Sequence, residues 1–322
     1  MGKLRAAVIG VGYLGNFHAQ KYASLPEVEL VAVADTDADR VSEVAARYGV
    51  RGVTDYRVLM GDIDVVSVVT PPATHFPIAR ACLEAGSHVL VEKPVTETVA
   101  EAETLIALAA ARERVFQVGH LERFNPAVLA LRPLINRPVR IETRRLARFK
   151  ERGTEVDVVL DMMIHDIDIV LSLVREPVVA IEASGKAVAT DSIDIAEARL
   201  VFAGGCVAEL SASRVHLEMV RAMNVFQPGN WLSIDFANHA LLSGRLDEHG
   251  VRDEGRPLES QPLVRSDALM DEIRAFVGAV QAGLGPAVTG EDGKRALEVA
   301  VAIGQRINTG SRVPGKVVGI PR

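Results

Sequence analysis

Residues 6–15 read AAVIGVGYLG, an apolar run that ends in the pattern Gly10-Val11-Gly12-Tyr13-Leu14-Gly15. The run has the composition of a short buried strand, and the residues after it repeat with helical spacing. Glycines between a strand and a helix allow a tight turn, and they let backbone amides approach an anion at the positive end of the helix. The stretch therefore predicts a strand, a phosphate-binding turn and a helix; the alternative is a tight turn without a ligand.

An acidic residue, Asp35, ends the next predicted strand. At this distance from a glycine-rich turn, a carboxylate accepts hydrogen bonds from the ribose hydroxyls of an adenosine. The same carboxylate would repel the additional phosphate of NADP. Turn and acid together predict a dinucleotide site that prefers NAD.

Short apolar runs alternate with helical patterns through the first part of the chain. This alternation is typical of parallel strands joined by crossover helices. We predict strands at 6–9, 29–34, 65–69, 88–91 and 115–118, and helices at 13–25, 38–48, 77–85 and 99–112. Right-handed crossovers then give an N-terminal Rossmann doubly wound parallel sheet of the α/β class.

The rhythm changes beyond residue 119. A helix is predicted near Asn125, an extended segment at 139–149 and an amphipathic helix at 158–173. Strand-like stretches follow with turn signals between them, and they should pair as a large open antiparallel sheet. These stretches are 179–187, 195–201, 206–213, 219–226 and 231–235. The polar residues 245–265 predict a loop or ragged edge strands, and two helices are expected at 269–282 and 290–307.

The 322 residues are enough for two domains, and we predict a boundary between residues 119 and 120. The first domain would bind NAD, and the second would be an α+β domain for substrate binding and oligomerisation, with a C-terminal helix that packs back on the first. Lys and Arg total 36 against 42 Asp and Glu, so no overall basic field exists to attract nucleic acid. Cys82 and Cys206 form no CxxC pair, and no signal peptide or membrane-spanning run is evident. We expect a cytoplasmic protein with no membrane partner.

Two further motifs follow predicted strands at the carboxyl edge of the sheet, where open α/β folds bind ligands. Glu92-Lys93-Pro94 comes after the fourth predicted strand, and residues 70–75, TPPATH, come after the third. The proline fixes the direction of the chain beside Lys93. A functional lysine and a backbone contact to the nicotinamide ribose are one interpretation. A solvated lysine and a proline-rich helix cap are the other.

Asp161, His165 and Asp168 are spaced so that a helix places them on one face. A carboxylate beside an imidazole suits proton transfer near neutral pH. A zinc-like ligand set and a structural histidine remain alternatives.

Basic residues are concentrated between the two halves of the chain. Their arginines suit an anionic substrate group, and a solvated surface is the alternative. The residues are Arg123, Arg144, Arg145, Arg148, Lys150 and Arg152.

Taken in order along nearly the whole chain, these motifs resemble the Gfo/Idh/MocA family, which includes glucose-fructose oxidoreductase and inositol dehydrogenases. The resemblance implies that Lys93, Asp161 and His165 are catalytic, that no metal takes part and that the second-domain sheet joins a homodimer or homotetramer. The implied NAD-binding residues are Gly10, Gly12, Tyr13, Leu14, Gly15, Asp35, Thr70, Pro71, His75, Glu92 and His120. The implied substrate-binding residues are Lys93, Arg123, Asn125, Arg148, Asp161 and His165.

Residues 119–126, GHLERFNP, and 157–168, DVVLDMMIHDID, are similar to one branch of that family. The branch oxidises the 3-hydroxyl of UDP-N-acetylglucosamine, a step towards amino-sugar precursors of lipid A or other surface glycans. Many family members have glycine where this chain has Asp157 and Met163. The departure bears on how closely the substrate pocket follows that of the polyol-oxidising members.

Three alternatives stay open from the sequence. The substrate could be a free sugar, a polyol such as myo-inositol, or a biliverdin-like compound. The chain could be an NAD-binding sensor without chemistry, since a fold does not determine a function. A metal-dependent hydrolase built on Asp161, His165 and Asp168 would leave the glycine-rich turn unexplained.

Overall fold

The computed structural model describes residues 2–150, 156–238, 240–247, 250–252, 261–262 and 266–310. These residues form two compact units. The first comprises the described residues within Met1–Leu129 and Val264–Glu298, and the second those within Ala130–Leu263 and Val299–Arg322. The domain boundary between residues 119 and 120 stays a prediction; the structure adds that residues 266–298 group with the first unit.

Within its described residues, the first unit contains a six-stranded parallel sheet in the order β3-β2-β1-β4-β5-β6. The strands are β1 Leu4–Ile9, β2 Val28–Ala34, β3 Arg51–Val53, β4 Val65–Val68, β5 His88–Glu92 and β6 Phe116–Gly119. This is the strand order of a Rossmann fold, which confirms the predicted α/β class. The short β3 escaped prediction because it has only three residues and no apolar run.

The helices in the described residues agree with the predicted helices to within a few residues at each end. They are α1 Tyr13–Ser24, α2 Ala38–Tyr48, α3 His75–Glu84, α4 Val99–Ala111, α5 Pro126–Leu131, α6 Ile164–Val174, α7 Ala268–Ala282 and α8 Gly290–Asn308. Several of them begin at side-chain caps: Asp37 accepts from two amides of α2, Thr98 forms a capping box with Glu101 of α4, and Asp267 accepts from an amide of α7. Such caps explain why these helix starts could be predicted locally.

The core of the first unit lies between the sheet and helices on its faces. Ala6 and Val8 of β1 and Tyr22 of α1 are fully buried in one apolar cluster. Helix α7 contributes Ile273 and Phe276 to the same cluster. The apolar face of α7 therefore completes the Rossmann core, although residues 120–267 separate α7 from the last strand of that sheet.

The second unit contains a large mixed sheet, with nine strands among the described residues. They are β7 Arg140–Leu146, β8 Val178–Lys186, β9 Ile195–Phe202, β10 Val207–Ser213, β11 Val220–Gln227, β12 Asn230–Asp235, β13 Ala240–Asp247, β14 Gly250–Arg252 and β15 Gln261–Pro262. The order is β14-β13-β12-β11-β7-β10-β9-β8, with β15 paired to β13. The segment expected to be loop or ragged edge strands thus includes β14 and β15, and the rest of 248–265 lies outside the described residues.

The prediction of an entirely antiparallel sheet needs one correction. Strand β7 lies between β10 and β11, antiparallel to β11 but parallel to β10. A long connection that includes α6 separates β7 from β10, and such a connection permits parallel neighbours. All other pairings between described strands of this sheet are antiparallel.

The amphipathic helix predicted at 158–173 has an irregular start. Val159–Met163 forms a π-helical turn, and α6 continues from it. The spacing of apolar residues does not distinguish a π-helical turn from an α-helical turn, because either one buries one side of the segment. In the part of the chain that is described, every helix is too short or too polar to cross a membrane.

Candidate active site

The turn between β1 and α1 has no room for side chains at two of its glycines. Gly10 has a φ of +86°, and a Cβ there would lie 2.6 Å from the carbonyl oxygen of Val69. A Cβ on Gly15 would collide with the carbonyl oxygen of Gly10. The first turn of α1 contains no acidic residue that would compete for its amides. The turn therefore fits the pyrophosphate of a dinucleotide.

Asp35 lies beside this turn. Its Oδ2 accepts a hydrogen bond from the backbone amide of Val11 at 2.9 Å. The guanidinium of Arg40 is 3.3 Å from the same oxygen. The structure thus brings the predicted ribose-binding carboxylate to the glycine-rich turn, and it adds an arginine that sequence reasoning missed.

His75 joins the segments that follow β4 and β5. It is buried, its Nδ1 is 2.8 Å from the carbonyl oxygen of Pro94, and its Nε2 is 2.8 Å from the carbonyl oxygen of Thr70. Burial lowers the pKa of His75, against the opposing effect of these hydrogen bonds. Both predicted edge motifs are therefore connected through one ring, whose nitrogens face backbone rather than open space.

Glu92 ends a buried polar chain below the sheet edge. Its Oε1 is 3.2 Å from Nε2 of His18. Nδ1 of His18 is 3.1 Å from the Ser67 hydroxyl, which is 2.9 Å from the hydroxyl of Tyr22. Lys93, the next residue after Glu92, is half-buried. The predicted catalytic lysine thus directly follows a side chain that the core holds in place.

A second glutamate, Glu272 of α7, lies close enough to Glu92 to interact with it electrostatically. It is fully buried, and neither carboxyl oxygen has a hydrogen-bond partner among the described residues. Burial raises the pKa of Glu272 well above its usual range, and the negative charge of Glu92 raises it further. Glu272 therefore keeps its proton to higher pH than an exposed glutamate does.

The residues after β6 are held mainly by structural contacts. His120 is buried. Arg123 lies 3.3 Å from Asp292, and although burial opposes ionisation, this arginine helps to lower the pKa of Asp292. The Asn125 side chain donates to Glu122 at 3.0 Å and accepts from the backbone amide two residues on. Their predicted roles in cofactor or substrate binding remain predictions.

In the second unit, the π-turn Val159–Met163 carries Asp161, and α6 carries His165 and Asp168. The side chain of Asp157 caps the turn by accepting from the amide of Leu160 at 2.9 Å. Asp161 and His165 are half-buried, whereas Asp168 is 1% exposed. Single π-helical turns are frequent at functional sites. Of the predicted triplet, Asp161 and His165 are thus the accessible pair.

Within the second unit, the described residues of the predicted basic cluster do not all lie on one surface. Arg144 and Arg145 point to opposite faces of β7, as neighbouring strand residues must. Arg145 is buried, while Arg144 is exposed. Arg148 is exposed, and its Nε donates to the carbonyl oxygen of Leu217 at 2.8 Å. Arg123 belongs to the first unit, and Arg152 lies outside the described residues.

Sequence reasoning missed His18 and Glu272, although a signal exists for both. Each is a polar residue beside a buried apolar one: His18 precedes Ala19 in α1, and Glu272 precedes Ile273 in α7. Such residues are rarely buried without a purpose.

The two cysteines are free and buried, and burial raises the pKa of Cys82 to about 12 and that of Cys206 to about 11. Neither is a reactive thiolate at neutral pH. Over the described ranges, no three His, Cys, Asp or Glu side chains converge as metal ligands.

Two family models match the chain. One, described as an oxidoreductase family with an NAD-binding Rossmann fold, matches residues 4–120. The other, described as the GFO/IDH/MocA C-terminal domain, matches residues 134–226.

Known proteins match over most of their length. UDP-N-acetylglucosamine 3-dehydrogenase from Acidithiobacillus ferrooxidans is 40% identical over 93% of this chain and 96% of that protein. Its solved structure superposes with a TM-score of 0.89, covering 96% of this chain and 99% of that one. Myo-inositol 2-dehydrogenase from Thermotoga maritima is 28% identical over 93% of this chain and 95% of that protein.

Proposed function

The chain belongs to the Gfo/Idh/MocA family of NAD-dependent oxidoreductases. We propose that it oxidises a secondary hydroxyl of a nucleotide sugar, namely the hydroxyl at carbon 3 of UDP-N-acetylglucosamine. This choice of substrate is supported by the 40% identity, over nearly the full length of both chains, to an enzyme named for that reaction. The product would be a 3-keto sugar. A ketone at this position is ready for transamination, as required for amino-sugar precursors of lipid A or other surface glycans.

NAD, when bound, accepts a hydride at its nicotinamide ring. In this proposal the imidazole of His165 takes the proton of the sugar hydroxyl, and Asp161 orients that ring or grips the sugar. The ammonium group of Lys93 stabilises negative charge that develops on the oxygen. The half-burial of all three side chains supports these roles, since they are neither fully solvated nor sealed in the core.

Different parts of the first unit would contact successive parts of the dinucleotide. The glycine-rich turn would hold the pyrophosphate, and Asp35 the adenosine ribose. The segments of Thr70 and Pro71 and of Glu92, connected through His75, would border the nicotinamide ribose. His120 completes this proposed set.

The decisive test is Lys93→Met, with Lys3→Met, an exposed lysine, as the matched control. We expect Lys93→Met to lower kcat by about 10³-fold, because charge stabilisation at the oxygen is lost. NAD affinity, measured by calorimetry, should stay within about twofold of wild type. Retained turnover in Lys93→Met would remove this residue from the mechanism.

The substrate is tested by following NADH absorbance and the mass of a keto sugar. UDP-N-acetylglucosamine, myo-inositol and free glucose are compared. NADH formation with the nucleotide sugar alone supports the proposal. Turnover of a polyol alone would favour the second candidate, an inositol-type dehydrogenase, which the 28% identical relative supports.

Arg148 is the proposed contact to the substrate phosphates. Arg148→Gln should raise KM for the nucleotide sugar, whereas Arg144→Gln, an exposed arginine of the same segment, should not. Arg123 and Asn125 are also proposed on the substrate side, but their buried structural contacts make their variants less informative.

We also propose that the enzyme is a cytoplasmic homodimer or homotetramer joined through the second-unit sheet. One face of that sheet carries an open cavity of about 830 Å³ lined by charged side chains such as Glu142, Arg144, Arg199 and Glu209. A monomeric mass by light scattering would contradict this assembly.

A further inference from the structure

The segment that carries Asp161 and His165 begins with a π-helical turn, Val159–Met163. The i→i+5 bonding of a π-turn points side chains in other directions than a regular α-helix does. Besides the local hydrogen bonds of the segment, the structure shows two contacts from outside it, one before the turn and one after it.

The first contact centres on Asp194, a fully buried carboxylate. It accepts hydrogen bonds from three successive backbone amides, those of Val188, Ala189 and Thr190, at 2.7, 2.7 and 2.9 Å. Nε of Arg214 donates to its other oxygen at 2.8 Å. Burial alone would raise the pKa of Asp194, but these donors outweigh it and hold the pKa far below the usual range.

Arg214 carries this contact on to the start of the catalytic segment. Its Nη1 donates to the carbonyl oxygen of Val156 at 2.8 Å, and its Nη2 to that of Ile193 at 3.2 Å. The amide of Val158 in turn donates to the carbonyl oxygen of Ile193 at 2.9 Å. Residues 156–158, just before the π-turn, are thus fastened to the segment around Asp194.

The second contact lies just after the π-turn. Arg145 of β7 donates through Nε and Nη2 to the two oxygens of Asp166, at 3.1 and 2.8 Å. Both side chains are at least 95% buried. Asp166 directly follows His165, so this pair ties that point of α6 to the sheet.

We propose that these two buried pairs, Asp194–Arg214 and Arg145–Asp166, are positioning residues that hold the π-turn and thereby aim Asp161 and His165. This double clamp rests on the proposed function, because it acts through the residues assigned to the chemistry. A planar guanidinium fork holds a carboxylate in one orientation, which an ammonium group does not. Buried ion pairs contribute little net stability compared with apolar packing, so orientation is the better account of their presence here.

The test variant is Arg214→Lys, which keeps the charge and loses the fork. The matched control is Arg199→Lys, whose pair with Glu182 is 3.5 Å long and 42% exposed on both sides. Hydrogen exchange of peptides covering 156–166, kcat, KM, NAD affinity and the pH profile of kcat are measured for both variants.

We expect Arg214→Lys to speed exchange in 156–166 by at least about 10-fold and to lower kcat by about 10- to 100-fold, since small misplacements of reacting groups have effects of this size. NAD affinity should remain within about twofold, and the loss should appear in kcat rather than in KM. Exchange and kcat equal to those of Arg199→Lys would overturn the proposal.

Thr190→Val serves as a milder variant if Arg214→Lys does not fold. It removes only the hydroxyl that donates to Asp194 at 2.8 Å, and faster exchange in 156–166 is again expected. Exchange is independent of the substrate, so a wild type that is inactive on nucleotide sugars would refute the proposed function while exchange still decides on the clamp.

Discussion

Two fully buried carboxyl groups, one in each unit, are accommodated in opposite ways. Glu272 in the first unit has no hydrogen-bond partner for either oxygen among the described residues, and its pKa is raised. Asp194 in the second unit accepts from three amides and Arg214, and its pKa is lowered. The contrast teaches that burial alone does not decide the charge of an acid; the donors around it do.

The two units also differ in what surrounds these two carboxyl groups. In the first unit burial opposes the ionisation of Glu272, which lies near the contact between Glu92 and His18. In the second unit, Asp194, whose pKa is lowered, contacts Arg214, which reaches the residues just before the π-turn. The two carboxyls should therefore respond to pH with opposite signs.

Asp194→Asn should have the largest effect. Removing one member of a buried ion pair costs about 3–5 kcal/mol of unfolding free energy at pH 7. Because the folded-state pKa is lowered, this stability is present above the unfolded-state pKa near 4 and is lost progressively as the pH falls from there towards the folded-state pKa. Urea unfolding at pH 7 and pH 3 measures it, with the exposed Asp191→Asn as control. A constant difference between the two pH values would refute the assignment.

Glu272→Gln should act in the opposite direction. The folded-state pKa is raised, so wild-type stability is full below the unfolded-state pKa of about 4.5 and declines as the pH rises towards the folded-state value. Glutamine does not ionise, so the variant should gain about 2 kcal/mol relative to wild type between pH 4 and pH 6. Thermal unfolding across this range is the measurement. A variant that loses stability relative to wild type with rising pH would show that Glu272 is charged in the folded protein.

Gly119→Ala tests how tightly the carboxyl group of Glu92, the neighbour of Glu272, is packed. A Cβ on Gly119 would lie 2.8 Å from the carboxyl group of Glu92, which would have to move. Overpacking of this kind should cost at least about 1 kcal/mol of unfolding free energy. Gly278→Ala on α7, where a Cβ meets nothing within 4 Å, should instead be neutral or stabilising. Equal behaviour of the two variants would show that Glu92 is not confined.

Asp35→Ser tests a third carboxyl group, which is paired with Arg40 and is proposed to bind the ribose of NAD. We expect the ratio of kcat/KM for NAD to that for NADP to fall by about fivefold to tenfold, because the repulsion is removed and Arg40 is released towards a phosphate. Asp37→Ser, another acid in contact with Arg40, is the control. An unchanged ratio would argue against Asp35 as the selector of NAD.

Much of the first unit could be predicted because its signals are local. The turn at Gly10, the acid at Asp35 and the lysine at Lys93 each follow a short apolar run, and parallel strands bring their carboxyl ends to one edge. The position of α7 in the same core could not be predicted, since its apolar face would suit any complementary surface.

In the second unit the sequence determined that strands and an amphipathic helix occur, and that Asp161 and His165 lie near one another on that segment. Only the tertiary structure decided that β7 enters between β10 and β11, that Arg145 turns inward while Arg144 turns outward, and that Asp194 and Arg214 reach the start of the π-turn. The physical reason is range. Strand and helix periodicity arises between residues a few positions apart, whereas ion-pair partners 20 or more positions apart meet only once the sheet register is set.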